Sequence, residues 1–282
     1  MTQISIGKLI TEGKTKRIFE ANGVAGRVVV ESKDDLTAGN GVRHDVVAGK
    51  ALFSNRTTSN VFRLLKAHGL PVAFVEEVDA THFLSEQCVM IPYEVVVRRE
   101  AHGSALKRHP EFSRGYVFQN LLLEFYLKTS GKRWKDIDLP VDDPLVHFEE
   151  DCISLYLPDK PIAQQSPFLT LIDFPLKESV NDREEIGKIA MKTFLILEKA
   201  WQSVGRRLVD FKIEFGINVD GKLRLADVID NDSWRVLDDG QYIDKQLYRD
   251  GADLKIVFEK YKMVAELTNN FTKLIYENTR SV

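Results

Sequence analysis

On both sides of Asp220-Gly221, between Val209 and Arg235, apolar and polar residues alternate in the stretch VDFKIEFGINVDGKLRLADVIDNDSWR. The pattern predicts a β-hairpin closed by a two-residue turn. With Val219 and Lys222 as the first pair beside that turn, Phe211, Ile213, Phe215 and Ile217 share a core face with Ala226 and Val228. Lys212, Glu214 and Asp227 fall on the opposite face, and the two carboxylates stand equally far from the turn, facing each other. Opposed carboxylates repel, so a sheet tolerates them when a cation sits between. A divalent ion carrying phosphates would be such a cation, since Mg²⁺ typically takes one or two protein carboxylates. The alternative for the same pattern is an edge hairpin with a solvated polar face.

Elsewhere the periodicity predicts an opening hairpin from Ile6 to Val30, a helix from about Asp45 to His68 stopped by Gly69 and Pro71, and strands at Pro71–Val78 and Met90–Arg99. Glu149 to Glu178, with four prolines, reads as a long covering loop with short elements. Asn181, with Glu184 three residues on, has the form of a capping box for a long helix that Gly205 closes, and Ile186, Ile189, Ala190, Phe194, Leu197 and Trp201 form its buried stripe. A last helix is expected from about Asp253 to Glu277.

Composition narrows the class. The 282 residues, 44% hydrophobic and 29% charged, suffice for two modest lobes, and a formal net charge of -3 gives no electrostatic case for nucleic acid. Cys88 and Cys152 are too few for a disulfide framework or a zinc site and read as reduced thiols. No apolar run reaches membrane-spanning length and the N-terminus lacks a signal peptide's apolar core, so no membrane partner and a cytoplasmic location are expected.

Several polar stretches carry candidate chemistry. Gly13-Lys14-Thr15 is not a phosphate-binding loop of the G-x-x-x-x-G-K-[ST] kind, because Lys8 stands where glycine is required. A tight turn at Glu12-Gly13-Lys14, where backbone N–H groups and the Lys14 and Lys16 side chains meet a polyphosphate, is the functional alternative to solvated lysines. The strand ending at Arg98 and Arg99 runs into Gly103-Ser104, and an arginine fork suits phosphate or carboxylate. Its alternative is an ordinary strand end. The polar loop Asp230, Asn231, Asp232, Ser233 and Arg235 has the groups to grip an anion.

These stretches resemble one family. VDFKIEFG followed by LADVIDNDSWR is similar to the signature of the SAICAR synthetases of purine biosynthesis. TEGKTK, MIPYEVVVRREAHGS, LLLEFYLK and DKQLYR resemble its other segments in the correct order over nearly the whole chain. The ADVIDNDSWR form is closer to the animal enzyme, in which this domain is fused to a carboxylase domain; whether the native chain stands alone stays open. Microbial members often carry Asp at the position of Asn40 and Glu at that of Val228.

The resemblance implies an α+β, two-lobed fold related to ATP-grasp, with antiparallel sheets, flanking helices and the ATP cleft between lobes at 1–95 and 96–282. It implies an ATP-dependent ligase joining L-aspartate to carboxyaminoimidazole ribotide through an acyl phosphate, and leaves a homo-oligomer open. ATP and Mg²⁺ would be held by Lys14, Lys16, Lys212, Glu214 and Asp227, with Glu94 and Asp143 as further metal candidates. Asp143-Pro144 is the nearest match to the family's Asp-Pro pair, delayed by the polar stretch around 131–135. Arg98, Ser104, Lys128, Asp232, Ser233, Arg235, Lys245 and Arg249 would bind the substrates, with Lys212, Arg98 and Arg235 acting on the reacting groups. Two other functions stay open: an ATP-dependent ligase or phosphotransferase with a different acceptor, and a nucleotide-binding regulatory module.

Overall fold

The alternating N-terminal run folds as a meander: in the computed structural model β1 (Ser5–Glu12) and β2 (Lys16–Asn22) pair through Glu12 and Arg17, so that Lys14 and Thr15 form a two-residue turn closed by Gly13 N–H to Lys16 O at 2.9 Å. The structure describes residues 4–129, 133–134, 136–140, 143–149, 152–172, 180–271 and 273–274. It is α+β with antiparallel sheets, and its contacts divide the chain into two units. Unit 1 comprises Met1–Met90, Leu195–Leu208 and Phe215–Val282; unit 2 comprises Ile91–Phe194 and Val209–Glu214. This differs from a division at residue 95, because the last third of the chain returns to the first unit except for six residues of one strand.

In unit 1, β1 and β2 continue through β3 (Arg27–Ser32) into a five-stranded sheet completed by strands introduced below, with Val28, Val29 and Val30 all buried. β4 (Asp35–Ala38) and β5 (Arg43–Val46) form a separate hairpin, so the expected helix start near Asp45 is strand instead. The helix α1 (Lys50–Ala67) begins after Gly49, whose φ of 86° ends the extended run. Gly49 cannot cap with a side chain. Asp34 substitutes from a distance, its carboxylate accepting from Gly49 N at 3.1 Å and Ala51 N at 2.8 Å. β6 (Phe74–Glu77) and β7 (His82–Glu86) close the sheet in the order β1-β2-β3-β7-β6, and β8 (Cys88–Met90) follows.

Unit 2 opens with β9 (Tyr93–Glu100), whose register with β10 (Val117–Leu127) places Tyr126 opposite Glu94 and Leu122 opposite Arg98. Between them lies the short helix α2 (Ala105–Arg108), and after β10 a small ribbon of β11 (Arg133–Trp134) and β12 (Ile137–Asp138). β13 (Leu145–Phe148), β14 (Cys152–Tyr156) and β15 (Leu169–Ile172) extend the sheet, so the expected covering loop contributes two strands. Pro158, Pro161 and Pro167 fall in the β14–β15 connection, where no ladder hydrogen bond is lost. Residues 173–179 of that stretch lie outside the described residues. Tyr93, Phe125 and Phe148 pack edge to face at 5.1 to 6.1 Å and form the aromatic centre of this unit.

The long helix α3 spans Val180–Ser203 and buries the expected stripe, Trp201 included. It starts one residue before Asn181, whose side chain lies outside the described residues. β16 (Arg207–Asn218) follows, then β17 (Leu223–Ala226), β18 (Trp234–Asp238), β19 (Gln241–Tyr242), the one-turn helix α4 (Gln246–Arg249) and α5 (Leu254–Thr268). In unit 1 Trp201 meets Trp234 and Phe271 edge to face, each at 5.2 Å. α5 is capped by Asp253, which accepts from Lys255 N at 2.8 Å, and residues 275–277 of the expected helix lie outside the described residues. No described helix is long and apolar enough to cross a membrane.

Because Asp34 alone satisfies two N–H groups at the start of α1, Asp34→Ala should lower the unfolding free energy by about 1–2 kcal/mol, read from urea denaturation with an unchanged slope.

Candidate active site

Lys212 and Glu214 are two residues apart on β16 and project from one face of it. β16 pairs antiparallel with β9, Lys212 with Val96 and Ile213 with Val95, and the next step of that register sets Glu214 opposite Glu94. The opposed carboxylates inferred from the alternation therefore exist, but the partner of Glu214 across this ladder is Glu94. The cation between them is Lys212, whose Nζ lies 2.8 Å from Glu94 Oε1 and 3.3 Å from Glu214 Oε1. Lys128, directly after β10, donates to the other oxygen of Glu214 at 2.8 Å. Asp143 accepts from Thr129 N at 2.9 Å and feels the charges of Glu94, Lys128 and Lys212. Burial, with Glu94 assisting, raises the Asp143 carboxyl above its ordinary value. At Lys212 burial acts downward, and the attraction of Glu94 and Glu214 outweighs it, so the ammonium is held above its ordinary value. Five of the sequence-derived candidates thus gather in unit 2.

The hairpin turn corrects the expected register. Gly221 adopts φ 73°, its N–H donates to Asn218 O at 3.0 Å, and Asn218 N–H donates to Lys222 O at 3.0 Å. This is a three-residue loop with a left-handed glycine, and its closing pair is Asn218 and Lys222 where Val219 and Lys222 were expected. Asn218 Oδ1 holds the loop by accepting from Asp220 N at 3.0 Å and Lys222 N at 2.8 Å. One residue of slip invalidates the counting that set Asp227 against Glu214. Asp227 also leaves the strand, which ends at Ala226, and takes φ 64°, a conformation Asp tolerates better than most side chains. Val228 is half-buried, not a core residue. In unit 1 Asp227 is ion-paired with Lys16, while exposed Lys14 extends past Gly41 at the tip of the β4–β5 hairpin.

The polar loop after β17 is organised internally. Ser233 Oγ donates to Val228 O at 3.1 Å and accepts from Asp230 N at 3.3 Å, so its hydroxyl shapes the loop. Asp232 binds Lys245 Nζ at 2.8 Å and accepts from the Tyr261 hydroxyl. Burial raises the Asp232 carboxyl, but Lys245 and Lys50 outweigh it and hold the group down to about 2. Its neighbour Asp230 moves the other way, pushed up by burial and by Asp232. Arg235 Nε and Arg249 Nη1 both donate to Gln246 Oε1 at 3.3 Å, which brings these two expected anion contacts together.

Arg98, expected at a ligand, is held here by protein groups. It is 3% exposed, with Nε on Glu124 at 2.6 Å, Nη1 on Asp210 at 2.6 Å and Nη2 on Ser104 Oγ at 3.4 Å. Glu124 also takes Arg108 Nε at 2.8 Å. The guanidinium of Arg98 therefore orders Ser104 and the start of α2 in this structure. Glu124, Asp210 and Arg108 were missed from the sequence, and so were Tyr261, Lys50 and Gln246. A charged residue inside an apolar run, as in LLLEFYL, was the signal available for Glu124. Among the described residues no group of three or more His, Cys, Asp or Glu side chains is arranged to hold a metal.

Lysines, arginines and carboxylates are paired on the strands of an antiparallel α+β chain. The chain belongs to the SAICAR synthetase family, whose model matches residues 9–152 and 157–267. It is 38% identical to the probable multifunctional protein ADE2 of Caenorhabditis elegans over 274 residues, which is 94% of this chain and 59% of the nematode protein. It thus spans about three-fifths of that relative's length. The phosphoribosylaminoimidazole-succinocarboxamide synthase of Chloroflexus aurantiacus is 37% identical over 95% of this chain and 98% of its own. Among solved structures, a type-2 SAICAR synthetase in complex with ADP superimposes with a TM-score of 0.75 at 27% identity, covering 93% of this chain and 97% of that one. The phosphoribosylaminoimidazole-succinocarboxamide synthase of Ehrlichia chaffeensis gives 0.74 at 28% identity, covering 93% and 98%.

The Glu124 network yields a stability test. Burial acts to raise the Glu124 carboxyl, yet Arg98 and Arg108 hold it below its ordinary value. Its contribution is present above the unfolded pKa of about 4.3 and lost as pH falls from there through the depressed folded value. Glu124→Gln should destabilise by about 3 kcal/mol at pH 7, and its urea midpoint should draw nearer to that of the unaltered chain as the pH is lowered below about 4.

Proposed function

We propose that this chain ligates L-aspartate to the carboxylate of carboxyaminoimidazole ribotide, with ATP converted to ADP and phosphate, as a cytoplasmic enzyme of purine biosynthesis. The observation that carries this is the match to the SAICAR synthetase family along nearly the whole chain, with a synthase covered at 98% of its length. The ADP named with one structural relative supports ATP as the nucleotide, and we take an ATP-grasp-related fold as part of the same proposal.

The chemistry suits the residues. The ribotide carboxylate attacks the γ-phosphorus, ADP leaves, and an acyl phosphate forms. The aspartate amine then adds to the acyl carbon, loses a proton, and phosphate departs as the amide forms. Every participant is anionic, so the protein's task is to position the reactants and neutralise charge. In unit 1 we assign Lys14 and Lys16 to the ATP phosphates, and Asp232, Lys245, Arg235 and Arg249 to the ribotide, with Ser233 holding their loop. In unit 2, Lys212 and Lys128 supply cations beside Glu94, Glu214 and Asp143, while Ser104, ordered by Arg98, offers a hydroxyl to an anion.

The donor set fits a hard divalent ion. Two opposed carboxylates already share one cation, the Lys212 ammonium. Mg²⁺ commonly needs one or two protein carboxylates, its remaining positions going to water and phosphate. Within unit 2 we assign Glu214 and Glu94 to hold such an ion, with Asp143 beside them as a further candidate, and within unit 1 we assign Asp227 to hold one. When bound it would shield the nucleotide's phosphate charge.

ADP release on mixing with MgATP, the ribotide and L-aspartate, each omitted in turn, tests the proposal: release should require all of them and coincide with succinocarboxamide formation. Release without the ribotide would sink it. Asp227→Asn should abolish turnover with little change in Tm, and near-normal activity would remove Asp227 from the site.

A further inference from the structure

Beneath the loop that carries Asp232 lies a set of side chains that cannot touch a ligand. Tyr261 on α5 and Lys50 at the start of α1 are each 1% exposed, whereas the side chains of Asp232 and Lys245 retain 16% and 10% exposure. Tyr261 donates its hydroxyl to Asp232 Oδ1, leaving Oδ2 for Lys245 at 2.8 Å. Lys50 Nζ stands 5.2 Å from the centre of the Tyr261 ring and 3.4 Å from Ser54 Oγ, close enough to both Asp230 and Asp232 to stabilise their charge. Asp230 Oδ1 in turn accepts from Asp232 N at 2.9 Å. The carboxyl groups of Asp230 and Asp232 and the side chains of Lys50 and Lys245 thus meet around Tyr261.

A buried lysine beneath an aromatic ring is a costly way to stabilise a fold, because an apolar side chain of the same volume avoids the desolvation penalty. Its geometry makes sense if the orientation of Asp232 matters. A carboxylate with one oxygen fixed by a buried phenol and the other by a lysine cannot rotate, and its remaining lone pairs face one direction. We infer that Tyr261 and Lys50 are positioning residues for the ribotide: they hold the Asp232–Lys245 pair in the orientation that receives it. This rests on the reading of Asp232 and Lys245 as ribotide contacts. It also gives α1 and α5, through these two buried side chains, a part in substrate recognition.

The test compares Tyr261→Phe, Lys50→Met and Asp232→Asn for the KM of the ribotide, the KM of ATP, the ribotide Kd by calorimetry, and Tm. Removing one hydrogen bond to a charged group should weaken ribotide binding about ten-fold in Tyr261→Phe while leaving the KM of ATP unchanged. Lys50→Met should move the same constants in the same direction, and it decides the matter if Tyr261→Phe does not fold. A loss spread equally over both KM values, or a fall in Tm without a change in ribotide Kd, would make these residues structural and overturn the inference. If Asp232→Asn weakens ribotide binding and the other two do not, the inference fails while the assignment of the loop survives. If Asp232→Asn leaves ribotide binding intact, the assignment itself fails and takes the inference with it.

Discussion

Lys212 between Glu94 and Glu214 is the interaction on which the functional arrangement depends. The β9–β16 register places the two carboxylates opposite each other, and without a cation their repulsion would weigh on that pairing. The lysine comes from the same strand as Glu214, two residues earlier, so a single alternation supplies both the charge to be neutralised and its counter-ion. Lys128 on the other oxygen of Glu214 completes a cluster in which anionic and cationic groups alternate.

The buried ionic groups divide into those that build and those that present. Arg98, Arg108, Glu124 and Asp210 form a closed set in which each charge meets its opposite at hydrogen-bonding distance. Breaking such a set leaves an uncompensated charge out of water, which is why it acts as scaffold. Asp230 and Asp232 behave differently although adjacent in sequence. The carboxylate that meets lysine and phenol directly is held ionised, and burial and its neighbour's charge drive the other upward.

Much of this was legible in the chain. The hairpin around Asp220-Gly221, the buried stripe of α3, the β1–β2 turn and the strands that carry Glu94, Lys212 and Glu214 follow from period-2 and period-3.6 patterns and from turn residues. The register was not, because Asn218 draws the turn one residue toward itself by accepting two backbone N–H groups, and such side-chain competition does not show in an Asp-Gly dipeptide. The strands β14 and β15 were hidden by the prolines that lie between them. Arg98 looked like a ligand arginine because its sequence neighbours are polar; Glu124 and Asp210, which occupy it, lie 26 and 112 residues away.

By itself, then, the sequence determined the α+β class and the family, since these depend on local periodicity and on motifs contiguous along the chain. The tertiary structure decided which carboxylate opposes Glu214, which arginine is scaffold, and which helices stand behind Asp232. Those outcomes depend on pairings between residues far apart in the chain, and such pairings leave no mark on the local pattern.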